Sequence, residues 1–290
     1  MPEKLIETDR AQVWQGDSLE RSTLNAINPS GDSFIDALIF DSPFSEKTHE
    51  GHASGKLTAD RAATFAKSDT ALQGNKKAIR AYAARKSEAG ESGRNDLEYS
   101  SFGESEIQRF CDVWLPATKG WVVSITDHLL APIWSQYFSD SGLYCFSPLP
   151  LVETGSRVRM SGDGPACWTC QIVIARPRGA PYSKWGALPG AYVQSGERAM
   201  NSKDGTSRIT GGKPLKSMMA IVKDYSRPGD LVGDPFLGGG TTLLAATRTG
   251  RRGIGIEMDP GRAQQCAEMV TAELHNTTRA ASKRGQRSLF

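Results

Sequence analysis

The chain has 290 residues, of which 38% are hydrophobic and 23% charged, with 30 glycines. These are ordinary globular proportions, and they exclude wholesale disorder. A net charge of +3 is too small to announce a polyanionic partner, so any such surface must come from local clustering. No stretch approaches the roughly 20 apolar residues of a membrane span, and the opening MPEKLIETDR lacks a basic-then-apolar signal pattern. Five cysteines fit a reducing, cytoplasmic compartment rather than a disulfide framework.

Six short β-branched runs follow one another along the chain. Val13–Gln15 leads to Gly16-Asp17, Asp36–Phe40 to Asp41, and Trp121–Thr126 to Asp127. Cys170–Ala175 leads to Arg176, Asp230–Gly233 to Asp234, and Arg252–Ile256 to Glu257. Amphipathic stretches between them predict an α/β fold with a mostly parallel sheet covered by helices. Ligands in such sheets bind at the carboxyl ends of strands, where these acids fall. A single acid there is more often a helix cap or a turn residue, so the repetition carries the signal.

Three segments interrupt the alternation. Residues 45–105 form a polar insertion, with one or two surface helices expected in Thr58–Arg85. Residues 176–216 hold eight Lys/Arg against two acids, together with Tyr182, Trp185 and Tyr192. Residues 274–290 carry four basic residues and no acid, and are expected to be a frayed tail.

The densest signal lies at 230–259, DLVGDPFLGGGTTLLAATRTGRRGIGIEMD. A short strand runs into Asp234, a turn follows at Gly238-Gly239-Gly240, and Thr241-Thr242 open a helix. After Gly250 a second strand ends in Glu257. Glycines let backbone approach a ligand closely and leave N–H groups available at the helix start, and an acid at the next strand tip suits a ribose diol. Spacing alone leaves NAD, FAD and S-adenosylmethionine open, while the absence of G-x-x-x-x-G-K-[ST] argues against a P-loop.

This stretch resembles the D-P-F-x-G-x-G-T-T…G-I-E signature of the DNA amino-methyltransferases, the adenine-N6/cytosine-N4 family. The matching residues are Asp234, Pro235, Phe236, Gly238, Gly240, Thr241, Thr242 and Glu257, and Lys213-Pro214 resembles the family's lead-in. Asp41-Ser42-Pro43-Phe44 resembles the family's [D/N/S]-P-P-[Y/F/W] motif, with Ser42 in place of the usual proline. Gly16-Asp17 is similar to its G-D-x-(L/I) element, near the cofactor adenine. The catalytic motif precedes the cofactor motif, which is the permuted order of the family's β group.

The resemblance implies a single Rossmann-like methyltransferase domain over 1–290, its sheet mostly parallel with a terminal antiparallel hairpin. It implies methyl transfer from S-adenosylmethionine to an exocyclic amine of double-stranded DNA, with adenine N6 favoured over cytosine N4 by the Asp at position 41. Asp41 and the Ser42 carbonyl would accept the two amino protons, Pro43 would stiffen the turn, and Phe44 would stack a flipped-out base. Asp17, Lys213, Asp234, Pro235, Phe236, Gly238, Gly240, Thr241, Thr242 and Glu257 would hold the cofactor. The unmatched 176–211 stretch is the candidate target-recognition loop, with Arg176, Arg178, Lys184 and Trp185 as DNA contacts. A bacterial, archaeal or phage source, a homodimer and a cognate restriction enzyme fit the same resemblance.

Other readings carry less. Cys167 and Cys170 have C-x-x-C spacing without a second pair, and His49 with His52 make a poor metal site, so no metal is expected. Cytosine C5 chemistry needs a Pro-Cys dipeptide, which the chain lacks. The rivals are an RNA- or protein-directed relative, a catalytically silent DNA-binding subunit, and a nicotinamide oxidoreductase. The last is opposed by Leu243, which stands where the third glycine of G-x-G-x-x-G belongs.

Overall fold

A computed structural model describes residues 2–48, 101–154, 168–179, 185–195 and 212–275. The chain divides into two compact units, Met1–Pro43 with Phe102–Ser156 and Trp168–Phe290, and Phe44–Ser101 with Arg157–Cys167. Where the sequence suggests one domain with an insertion at 45–105, this division sets the segment apart and adds Arg157–Cys167 to it. In the second unit the Ser45 and Thr48 hydroxyls lie 3.2 Å apart. The helices expected in Thr58–Arg85, most of the 176–211 stretch and the tail beyond 275 lie outside the described residues.

In chain order the elements are β1 Glu3–Glu7, β2 Ala11–Gln15, α1 Arg21–Ile27, β3 Ile35–Asp41, α2 Glu104–Trp114 and β4 Thr118–Thr126. There follow α3 Ala131–Asp140, β5 Leu143–Cys145, β6 Leu149–Thr154, β7 Thr169–Pro177 and β8 Tyr192–Ser195. The chain then forms α4 Leu215–Tyr225, β9 Leu231–Asp234, α5 Thr241–Arg248, β10 Arg252–Glu257 and α6 Pro260–Leu274.

The strands form one sheet in the order β1-β2-β10-β9-β3-β4-β7-β6-β8, with β5 paired to β7. The five strands from β2 to β4 in that order are parallel. β1 runs antiparallel to β2, and β7 runs antiparallel to β4, β5 and β6.

Alternation along β3 explains why both faces are covered. Leu38 and Phe40 point to a core shared with Ile107 and Phe110 of α2 and Trp134 and Phe138 of α3. Ala37 and Ile39 point to the opposite core, with Met218, Ile221 and Val222 of α4 and Ala245 and Ala246 of α5. A period of two inside an almost wholly apolar run is what a strand buried on both sides requires. Among the described residues, no helix is long and apolar enough to cross a membrane.

The connections place the site. From β3 the chain moves outward to β4, and from β9 it moves outward to β10 in the other direction. The order therefore reverses between the adjacent strands β9 and β3. In open α/β sheets the crevice at such a switch point, at the carboxyl ends of the strands, is where ligands bind.

Candidate active site

Asp41 is the last residue of β3, at one wall of this crevice. The turn after it is held by Ser42, whose N–H and hydroxyl both donate to the Ile125 carbonyl of β4 at 3.1 Å. A proline at this position would lack both donors, so the serine replaces a fixed φ with two hydrogen bonds to the neighbouring strand. Pro43 follows, half-buried, and Phe44 opens the second unit.

The Asp41 carboxylate is divided between two tasks. Its Oδ2 accepts from Lys213 Nζ at 2.6 Å. Its Oδ1 is buried and has no hydrogen-bond partner among the described residues. Burial raises the Asp41 pKa, and the Lys213 ammonium pulls against that rise. Burial also works against the charge on Lys213, but Asp41 beside it holds the ammonium above its ordinary range. Both partners are thus committed to the ion pair, because either charge left alone here would be costly.

The other wall of the crevice is the tip of β9. Asp234 is buried, its Oδ1 accepting from the Phe236 N–H at 3.0 Å and its carboxyl from the Thr242 hydroxyl. Burial pushes this carboxyl up to about 7, with Asp41 and Glu257 adding to the rise and the two donors opposing it. Pro235 is buried, and the Phe236 ring turns away into the core, 5.3 Å from Phe102 and 5.4 Å from Phe110.

Two glycines shape the loop that follows. Gly240 has φ +75°, and a Cβ there would lie 2.3 Å from Cys266 Sγ, so α6 packs directly under the loop. Gly238 has φ +49°, and a Cβ there would meet only the Phe236 carbonyl at 3.8 Å. One glycine is thus required by packing and conformation, the other by conformation under open space. Thr241 is half-buried at the start of α5, whose first turn receives no side-chain cap.

Glu257, at the tip of β10, braces the loop. Its Oε2 accepts from the Gly238 N–H at 2.7 Å and its Oε1 from the Asp259 N–H at 2.9 Å. Gly16 N–H donates to the Glu257 carbonyl at 3.0 Å, which brings Asp17 to the same edge. Asp17 itself caps a turn, accepting from the Leu19 N–H at 2.8 Å. The edge therefore gathers Asp234 and Glu257 around a Gly-rich loop, a setting suited to a cationic ligand, with the Asp41–Lys213 pair on the facing wall.

Of the expected DNA contacts, Arg176, Arg178 and Trp185 are not brought to this edge. Because β7 runs antiparallel to β4, pairing Ala175 with Val122 and Gln171 with Thr126, its last residues lie at the amino ends of the parallel strands. Arg176 sits there over the Tyr144 and Phe146 rings, and Arg178 over Tyr144. Trp185 packs 5.5 Å from Trp121 near the start of β4, with Arg227 over its ring at 3.5 Å. Lys184 lies outside the described residues, as do Cys167, His49 and His52.

The same reversal brings other residues to the site. The beginning of β7 and the end of β6 reach the carboxyl edge, and Cys170 and Glu153 both act on the charge of Lys213. Neither is marked in the sequence, because β6 is interrupted by Pro150 and Cys170 reads most simply as one of two structural thiols. Asp127 is a structural acid, accepting from the N–H groups of Leu129 and Leu130 at 3.0 and 2.9 Å.

Fold and edge together define a Rossmann-like α/β protein of the methyltransferase type. A family model described as DNA methylase, of the N6/N4 type, matches residues 34–268, and the chain belongs to this family. It is similar to YubD of Escherichia coli, 44% identical over 46 residues, and to the type II methyltransferase M.MthZI of Methanothermobacter thermautotrophicus, 48% identical over 46 residues. Each match covers 16% of this chain, and 20% and 13% of those relatives respectively.

Among solved structures, the M1.HpyAVI–SAM complex superposes with a TM-score of 0.56 at 17% identity, covering 88% of this chain and 97% of that one. The cytosine-N4-specific PvuII DNA methyltransferase gives 0.57 at 14% identity, covering 96% and 91%. These likenesses establish the fold.

Proposed function

We propose that this chain transfers the methyl group of S-adenosylmethionine to an exocyclic amine of a DNA base, adenine N6 in preference to cytosine N4. The observation that carries the reading is the Asp41 Oδ1: a buried acceptor, without a partner among the described residues, at the switch point beside the Gly-rich loop. Membership of the DNA methylase family supports it.

The residues present fit the cofactor. Asp234 and Glu257 suit a sulfonium cation, the space over Gly238 admits a ligand, and the uncapped first turn of α5 offers N–H groups to a carboxylate. The cofactor, when bound, supplies a methyl group on a good leaving group. Glu257 would hold the ribose diol by exchanging one of its two backbone bonds for it.

The chain's own contribution is orientation and proton acceptance. An exocyclic amine is conjugated with its ring and weakly nucleophilic. Hydrogen bonds from its two N–H groups to Asp41 Oδ1 and the Ser42 carbonyl would favour a pyramidal nitrogen with its lone pair free to react. Asp41 would lie beside the positive charge that methylation places on nitrogen, and its Oδ1 would accept the proton the amine then sheds.

A duplex reaching this edge would be read by residues other than Arg176 and Arg178. The type II name of M.MthZI supports a restriction-modification setting.

The test uses genomic DNA from cells expressing the wild type or Asp41→Ala, digested to nucleosides and analysed by mass spectrometry. N6-methyladenine present only with the wild type is the expected result. N4-methylcytosine instead would transfer the reading to the other base. Neither nucleoside, from a protein that still binds S-adenosylmethionine, would overturn DNA-amine methylation.

A further inference from the structure

The sequence resemblance places Lys213 with the cofactor, but its partner in the structure is Asp41, 2.6 Å from Nζ. The Lys213 side chain is 9% exposed and that of Asp41 26%, so the contact is largely shielded from solvent. Lys213 is also stiffly mounted. It precedes Pro214, which restricts its backbone to extended conformations, and the Pro214 carbonyl accepts from the Met218 N–H in the first turn of α4. The ammonium engages Oδ2, while Oδ1 stays buried without a partner among the described residues.

We propose that Lys213 is the positioning residue for Asp41: by occupying Oδ2 it fixes the plane of the carboxylate so that Oδ1 is the oxygen presented to the substrate amine. This rests on the reading of Asp41 as the amine acceptor. A carboxylate on a χ2 rotor exchanges its two oxygens freely, and a cation mounted just ahead of α4 removes that freedom before substrate arrives. The same cation favours the ionised acceptor, working against the burial that raises the Asp41 pKa.

Among the described residues, the titratable groups acting on the pair are Asp234 on β9, Glu153 on β6 and Cys170 on β7, with Glu257 of β10 acting on Asp234. Lys213 offsets Glu153 as well as Asp41, and its loss raises the Asp41 pKa.

The test compares the wild type with Lys213→Met and Lys213→Arg. The Asp41 carboxyl is titrated by carbon-13 NMR, with its signal assigned by its absence in Asp41→Asn, and the pH dependence of single-turnover methyl transfer is recorded alongside. Lys213→Met is expected to move the Asp41 titration and the acid limb of the rate upward by about 1–3 pH units. S-adenosylmethionine affinity by calorimetry should stay within about threefold of wild type, since roughly 1.4 kcal/mol per tenfold would mark a lost ligand contact. Lys213→Arg should return the titration and the acid limb to near their wild-type positions.

A uniform loss of rate with the titration unmoved would overturn the proposal, as would a tenfold loss of cofactor affinity without a titration shift. The NMR titration needs no turnover. If genomic DNA carries no methylated base, the function assigned above fails while the Lys213–Asp41 coupling is still decided.

Discussion

The two walls of the crevice are built on different principles. On the β9–β10 side, the carboxylates of Asp234 and Glu257 accept four hydrogen bonds from Phe236, Thr242, Gly238 and Asp259, all within the loop and its flanks. On the β3 side, Asp41 has one oxygen engaged by Lys213 and the other without a partner among the described residues. One wall is a self-bracing scaffold that holds a loop open. The other is a single acceptor held ready. A scaffold needs many residues at fixed spacing and so writes a long motif, whereas an acceptor needs one oxygen and the means to aim it.

The contrast is testable from its largest expected effect downward. Gly240→Ala forces a side chain into αL backbone and against Cys266 Sγ, and should cost about 3 kcal/mol or more by chemical denaturation. Gly238→Ala, strained but over open space, should cost about 1 kcal/mol while weakening cofactor binding more than stability. Equal stability losses at the two positions would break the distinction between packed and open glycines.

The second prediction concerns pH. The Asp234 carboxyl titrates at about 7 in the folded chain and near the ordinary 3.8 when unfolded. Between those values the folded state binds the extra proton, so its contribution to stability is present in acid and is lost as pH rises from about 4 through about 7. Asp234→Asn should flatten that part of the stability–pH curve. A wild-type curve that rises over the same window would contradict the burial assigned to this carboxyl.

Ser42→Ala deletes one of two bonds to the Ile125 carbonyl and should cost about 1 kcal/mol in stability. It should lower methyl transfer by less than tenfold, because the backbone carbonyl at position 42 is retained. The smallest effect belongs to the opposite edge. Replacing Arg176 and Arg178 together should leave the log–log salt slope of DNA binding unchanged. A drop of about 2 would put phosphates at the amino edge, since each contact contributes roughly 0.9.

Much of the sheet was legible from sequence because its central strands are apolar runs that end abruptly in acids. β3 and β9 were found this way, and with them both walls of the crevice. Strands β1, β5, β6 and β8 were not found; β1, β5 and β6 are largely half-exposed, and β8 is four residues whose buried positions are Tyr192 and the polar Gln194, so no apolar run marks any of them. The direction of β7 was also hidden. Nothing in Cys170–Ala175 distinguishes a parallel from an antiparallel neighbour, yet that single fact moves Arg176 away from the site and brings Cys170 toward it.

Residue types carried the site only as far as their backbone places. Phe236 and Thr242 stand at motif positions, but one fills the core and the other holds Asp234. Lys213 lies 172 residues from Asp41 in sequence, and no local pattern could have paired them.

On the proposed reading, Asp41 serves the reaction and not the cofactor. Its most direct test is one preparation of Asp41→Ala measured twice, by calorimetry with S-adenosylmethionine and by single-turnover transfer of labelled methyl to duplex DNA. The account expects affinity within about threefold of wild type and transfer reduced by about 10²-fold or more. Transfer at the wild-type rate, or a loss of transfer fully matched by a loss of cofactor affinity, would contradict it.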